Sequence, residues 1–301
     1  MKTLYLDCGM GAAGDMLTAA LLELTEDPGE AIRELNALGI PDVEYTAQRK
    51  ESCGILGTHV RVLVAGKEEG TDLHAHDHSH DTAHGQEYPH EHTHDAALGH
   101  AHSHEHDHAD HEHIHDGSGS AHHHDDTHAL ADIEHIIDDH IHADGEVKEN
   151  ARRVFRILAE AESTVHGRPV PDIHFHEVGT MDAVADITAV CYLIRRLGIG
   201  RILASPVHVG RGRVKCAHGI LPVPAPATAQ ILKGVPIYSI PEIEGELCTP
   251  TGAALLKAFV SEFGTMPVMT YERIGYGLGT KEFPVLSCVR AFLGELTPAK
   301  Q

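Results

Sequence analysis

Two stretches of this sequence gather side chains that bind metals or move protons. Between Leu73 and His128 stand twenty of the chain's twenty-nine histidines, interleaved with aspartate and glutamate and without one lysine or arginine. The run includes His76, His78 and His80 near its start, His102, His104, His106 and His108 in its middle, and His122, His123 and His124 near its end. Neutral imidazole is the commonest side-chain ligand for borderline divalent metals, and carboxylates add affinity through charge. A segment this rich in both can hold several divalent ions. The second stretch, Asp172 to Asp186, contains His174, His176, Glu177, Asp182 and Asp186. In an extended strand His174 and His176 project to one face, because side chains repeat every two residues. Asp182 and Asp186 are four apart, which sets them on one face of a following helix. Two imidazoles and up to three carboxylates at a strand-to-helix junction make a metal or acid/base site. The competing reading is a helix cap at Asp182 beside surface histidines.

Three weaker groupings accompany these. Asp7 and Asp15 flank a glycine-rich turn between a strand and a helix. Free amides at a helix start favour an anion, yet two carboxylates so close suit a cation better. A tight turn in which Asp15 helps cap the helix gives the same pattern. Arg211, Arg213 and Lys215 follow His208 in a Gly-rich loop and form the densest basic cluster. They hold a phosphate or carboxylate of a small molecule, or they are solvated loop charges. Thr249 and Thr251 offer hydroxyls at a helix start where Pro250 suits the first turn, and capping accounts for most of that pattern. Gly275 to Lys281 resembles a phosphate loop only loosely, and the absence of Gly-x4-Gly-Lys-Ser/Thr excludes a P-loop GTPase.

These groups need a scaffold. The formal net charge is −22, but residues 68 to 147 hold 21 acidic groups and no basic ones, so the remainder is close to neutral. Such a local field attracts cations and repels nucleic acid and anionic membrane. The six cysteines form no Cys-x-x-Cys pair, which argues against structural zinc and against a disulfide framework. No signal-peptide core and no membrane-length apolar run is visible, so the expectation is a reduced cytoplasmic protein and not a transporter. Apolar periodicity predicts strands at 3–6, 43–49 and 59–64, and helices at 16–24 and 28–38. It predicts further helices from Ile133 to Ile141, 147–165, 180–197 and 250–263, and strands within 201–209, 268–277 and 285–293. The reading is an α/β fold, a mixed sheet with flanking helices, interrupted by a long disordered His/Asp-rich insert. Residues 1–67 open the body, 68–128 form the metal-binding insert, and 129–301 complete the body. His135, His140 and His142 carry metal-binding character past the insert into folded structure.

The ordered set of motifs resembles the LarC-type nickel insertion proteins, which complete the nickel-pincer cofactor of lactate racemase and related enzymes. The resemblance rests on Asp7-Cys8 through Gly14-Asp15-Met16, His174-Phe175-His176-Glu177-Val178-Gly179, Asp182 with Asp186, Pro222 through Thr228, Thr249-Pro250-Thr251-Gly252 and the Gly275-to-Pro284 turn. It implies insertion of Ni²⁺ into pyridinium-3,5-bisthiocarboxylic acid mononucleotide, with CTP consumed in the presence of Mg²⁺ or Mn²⁺. A metal–carbon bond requires loss of a ring proton, so His174, His176, Glu177, Asp182 or Asp186 would be base or transient ligand. The loop from Arg211 to Lys215 would hold the substrate phosphate. The product would pass to a nickel-pincer-dependent apoenzyme. Full-length members of that family carry a further CTP-associated C-terminal domain. The expectation is therefore a truncated product or one half of a system whose second part comes from a frameshift or a separate gene, and CTP-dependent turnover is expected to need that part. The rival readings are a non-catalytic nickel or zinc buffer and a metal-dependent hydrolase using Asp7, Asp15 and Asp182.

Overall fold

The computed structural model describes residues 1–68, 128–175, 180–216 and 218–297, and the parts on either side of residues 69–127 belong to one unit. The chain opens with β1 (Thr3–Asp7), α1 (Gly14–Leu22), α2 (Pro28–Asn36), β2 (Val43–Ser52), β3 (Ile55–Val64) and β4 (Lys67–Glu68). Then come β5 (His128–Ala129), α3 (Leu130–His135) running into a wide π turn (Ile136–His140), α4 (Gly145–His166), β6 (His174–Phe175) and α5 (Met181–Leu197). Next are β7 (Arg201–Ala204), β8 (Val207–His208), β9 (Gly210–Arg211), β10 (Arg213–Cys216), β11 (Gly219–Pro222) and α6 (Pro226–Ile231). The last elements are β12 (Ile237–Tyr238), β13 (Gly245–Glu246), α7 (Pro250–Phe259), β14 (Glu262–Phe263), β15 (Met269–Leu278) and β16 (Cys288–Leu296).

The main sheet runs β14-β7-β1-β16-β15-β3-β2, with β4 on β3. Because β1 is antiparallel to β16 and parallel to β7, the sheet is mixed, and helices flank it as the sequence predicts. Alternation along β1 divides two cores. Leu4 and Leu6 enter the main one beneath the helices, while Tyr5 joins a small cluster with Leu203 and Phe292 on the opposite face.

Beyond Asp15, helix α1 is buried all round, every residue from Met16 to Leu22 lying in the interior. It rests directly on β15 because two strand glycines leave room for its backbone. A Cβ at Gly277 would sit 2.6 Å from the Ala20 nitrogen, and one at Gly275 would sit 3.0 Å from the Ala20 carbonyl carbon. The Gly275-to-Gly279 stretch is therefore a helix seat within a strand. Helix α4 buries one stripe (Val147, Ala151, Val154, Phe155, Leu158 and Ala161) against α5, α6 and α7. Asp144 caps its start, accepting from the Val147 N–H at 2.9 Å, and Gly167 ends it at φ 62°.

Three local readings change. The helix predicted from Ile133 to Ile141 breaks at His135 into the π turn. The Gly-rich loop after His208 is built of short strands, including the β10–β11 hairpin. Helix α7 stops at Phe259 because the sheet claims the chain: Ser261 N–H donates to the Ile202 carbonyl at 2.9 Å, and β14 pairs with β7. Among the described residues no helix is long and apolar enough to cross a membrane.

Candidate functional site

The N-terminal ends of α1, α5 and α7 meet at one cleft of about 280 Å³. Ala13, Gly14 and Asp15 line it at the start of α1, Asp182 and Asp186 at the start of α5, and Thr249, Pro250 and Thr251 at the start of α7. Glu246, Thr280, Arg61 and Glu68 complete the walls. An adjoining recess shares Asp15, Glu246, Thr249 and Thr280 and adds Met10, Phe283 and Lys281. Backbone pairing between distant loops fixes this arrangement. Ala12 N–H donates to the Leu247 carbonyl and Thr249 N–H donates to the Ala12 carbonyl, each at 3.1 Å. Gly252 permits the approach, since a Cβ there would lie 2.5 Å from the Ala12 carbonyl carbon. Thr249 caps α7, its Oγ1 accepting from the Gly252 N–H at 3.1 Å.

Glycine 14 is as constrained: a Cβ there would lie 2.6 Å from the Asp186 Cβ and overlap its carboxylate. Asp186 packs into that gap, 8% exposed, and its Oδ1 has no hydrogen-bond partner. Burial, then the charges of Asp182 and Asp15, push its carboxyl well above the usual range. Asp15 is also raised by burial, offset by the Met16 N–H, which donates to its Oδ1 at 2.7 Å, and by His59. Close carboxylates in a dry setting resist ionising together, so these two hold a proton more tightly than exposed carboxylates do. Cysteine chemistry is not on offer there. Burial and Glu246 push the Cys248 thiol up to about 12, leaving no useful thiolate at neutral pH. Among the described residues no three His, Cys, Asp or Glu stand together in a way that could hold a metal ion.

A family model described as nickel insertion protein matches residues 4–301 of this chain. The chain belongs to the nickel insertion protein family. Among its relatives, the pyridinium-3,5-bisthiocarboxylic acid mononucleotide nickel insertion protein of Desulfitobacterium hafniense (strain DSM 10664 / DCB-2) is 38% identical over 296 residues, 98% of this chain and 59% of the relative. The protein of that name from Thermotoga sp. (strain RQ2) is 35% identical over 301 residues, 100% of this chain and 63% of the relative. That from Staphylococcus epidermidis (strain ATCC 12228 / FDA PCI 1200) is 34% identical over 289 residues, 96% and 58% of the two chains. This family member thus spans about three fifths of the length of these curated relatives. No solved structure matches it.

Within this family member, the residues singled out by sequence part into four groups. Asp15, Asp182, Asp186, Thr249 and Thr251 come together in the cleft. His176, Glu177 and the histidines from His76 to His124 lie outside the described residues. His174 is exposed on β6, which pairs with β5 through Ala129. The remaining residues stand elsewhere. Asp7 does not join Asp15: it is ion-paired with Arg290, its Oδ1 accepts from the Gly9 N–H at 3.0 Å, and it lines neither cavity. The Asp7–Asp15–Asp182 set that a hydrolase would use is therefore not assembled. Arg211 donates to the Pro241 carbonyl at 2.8 Å, and Arg213 and Lys215 project from the hairpin into solvent. His208 is structural: its Nδ1–H donates to the Gly9 carbonyl and its Nε2 accepts from the Ile240 N–H, both at 3.1 Å. Glu246, Thr280 and Arg61 are cleft residues that sequence reasoning missed, because only the long-range assembly of strands and loops brings them in.

Proposed function

We propose that this chain takes part in inserting Ni²⁺ into pyridinium-3,5-bisthiocarboxylic acid mononucleotide, and that the cleft receives that substrate. The observation that carries this reading is the meeting of three helix N-termini with Asp15, Asp182 and Asp186 in a member of the nickel insertion family. Helix N-termini present free N–H groups and positive dipole ends, which suit the phosphate or the thiocarboxylates of an anionic mononucleotide. Making a nickel–carbon bond replaces a ring C–H, and the released proton needs an acceptor. Asp186, held in a dry site beside Asp182, is a carboxyl whose conjugate acid burial favours, so it accepts that proton and Asp182 shares the charge. His174, with His176 and Glu177, serves in this reading as transient ligand delivering nickel. The histidine-rich run gathers the ion beforehand, and Ni²⁺ is cargo here.

The remaining parts of the reading concern the whole reaction. CTP consumption with Mg²⁺ or Mn²⁺, a lyase-type turnover and transfer to a nickel-pincer-dependent apoenzyme come from the resemblance. No described residue is assigned to CTP. The test is reconstitution of apo-lactate racemase with this chain, Ni²⁺, CTP, the pincer precursor and the part of a longer relative that the match does not cover. Asp186→Asn should lower active enzyme formed by about 10²- to 10⁴-fold, the range for loss of a general base, while nickel uptake by the chain is unchanged. Undiminished formation would overturn the assignment.

A further inference from the structure

The helix that opens the described chain after the histidine-rich run carries a second arrangement of metal-binding side chains, remote in sequence from the cleft aspartates. His135 ends α3 and His140 ends the π turn, both exposed. In a regular α-helix five residues turn the chain through about 500°, leaving the two imidazoles about 140° apart. A π turn closes i to i+5 and stacks them on one side. Their rings are in fact neighbours, with centroids 5.8 Å apart and planes at 84°. His135 Nδ1 lies 2.6 Å from Asp139 Oδ2. A carboxylate on one ring nitrogen fixes the tautomer and leaves the other nitrogen with its lone pair outward, the arrangement that orients metal-ligating histidines.

We propose that His135 and His140 form a two-imidazole site for a divalent transition-metal ion, with Asp139 as the outer partner of His135 and water in the remaining positions. The separation fits. With a metal–nitrogen bond of about 2.1 Å and about 1.2 Å from nitrogen to ring centre, two imidazoles on one ion have centroids between about 4.7 Å (cis) and about 6.6 Å (trans). The observed 5.8 Å lies inside that range. A pair of imidazoles selects nickel, copper or zinc over magnesium, and exposed Asp139 supplies favourable charge. Among the described residues no third protein ligand stands with them, so the ion is held loosely enough to move on. The site stands whether or not the cleft inserts nickel.

The test is residue-resolved histidine modification by diethylpyrocarbonate on the full chain, read by peptide mass spectrometry with and without saturating Ni²⁺. With Ni²⁺ at ten times the site's Kd, modification of both His135 and His140 should slow by about tenfold, in line with occupancy. Mg²⁺ should have no effect. In His135→Ala, an exposed substitution whose fold is checked by circular dichroism, Ni²⁺ protection of His140 should disappear. In Asp139→Asn it should weaken but persist. Unchanged modification of His135 and His140 under Ni²⁺, or full protection of His140 in His135→Ala, would overturn the site.

Discussion

Replacing Asp186 by asparagine should make the protein more stable. The carboxylate sits 8% exposed with one oxygen unpartnered, and its neighbours Asp182 and Asp15 bear like charge. Asparagine keeps the shape, removes the charge and adds an amide that can donate to Asp182. Relieving one unsatisfied buried polar group is worth about 1–3 kcal/mol. At about 2–4 °C per kcal/mol for a chain approaching this size, Tm should rise by about 2–12 °C. The pH dependence follows from the direction of the shift. A carboxyl raised in the folded state keeps its proton after the unfolded chain has lost it, so the native state is favoured below the ordinary carboxylate pKa of about 3.9 and loses that advantage as pH climbs through the raised value. The variant lacks this loss, so its gain should be larger at pH 8 than at pH 5. Paired melts of wild type and variant by circular dichroism at the two pH values measure it. A lower Tm for Asp186→Asn at pH 8, or an equal gain at both pH values, would refute the account of this residue as a strained carboxyl. A gain in stability beside the loss of activity expected above would mark Asp186 as a functional group kept at the expense of the fold.

Other outcomes follow from the same geometry. Gly277→Ala pushes a Cβ to 2.6 Å from the Ala20 nitrogen, which should cost about 3 kcal/mol or more by urea unfolding because helix and strand backbones must part. His208→Ala removes two part-buried hydrogen bonds and a buried ring stacked 4.9 Å from Tyr238, a loss of about 2–4 kcal/mol at pH 7.5. Burial lowers the His208 pKa, so its contribution is complete above about 6.5 and wanes as pH falls below it; the gap between wild type and variant should narrow at pH 5.5. Arg213→Ala with Lys215→Ala should leave precursor affinity by calorimetry within about twofold, as expected of solvated surface charges, and a tenfold loss would return the phosphate to that hairpin.

What the sequence disclosed and what it withheld divide along contact range. Asp182 and Asp186 meet in the cleft because four-residue spacing is a local property of a helix, and Thr249 with Pro250 marked a helix start for an equally local reason. Asp7 was paired with Asp15 by proximity in the chain, yet strand alternation places Asp7 on the Tyr5 face, away from α1, where Arg290 meets it. The strand holding the β15 glycines is legible from 268–277, but nothing nearby in sequence reveals a helix lying across them. Glu246 and Thr280 reach the cleft through pairing between segments more than two hundred residues from Asp15. The π turn was hidden as well, since the isoleucine pattern around it is that of an unbroken helix.

The three walls of the cleft are not equally free. Helix α1 is locked backbone to backbone onto β15 at Gly277, and α7 onto the β1–α1 loop at Gly252, so neither can slide without opening a void or forcing a clash. Helix α5 meets Gly14 through the Asp186 side chain, which can change rotamer. The wall lined by Asp186 is therefore the one whose shape a side-chain rotation alone can change. In the proposed reaction the group that receives the proton is the same side chain that shapes this wall, so a rotation of Asp186 would alter the cleft and the proton acceptor together.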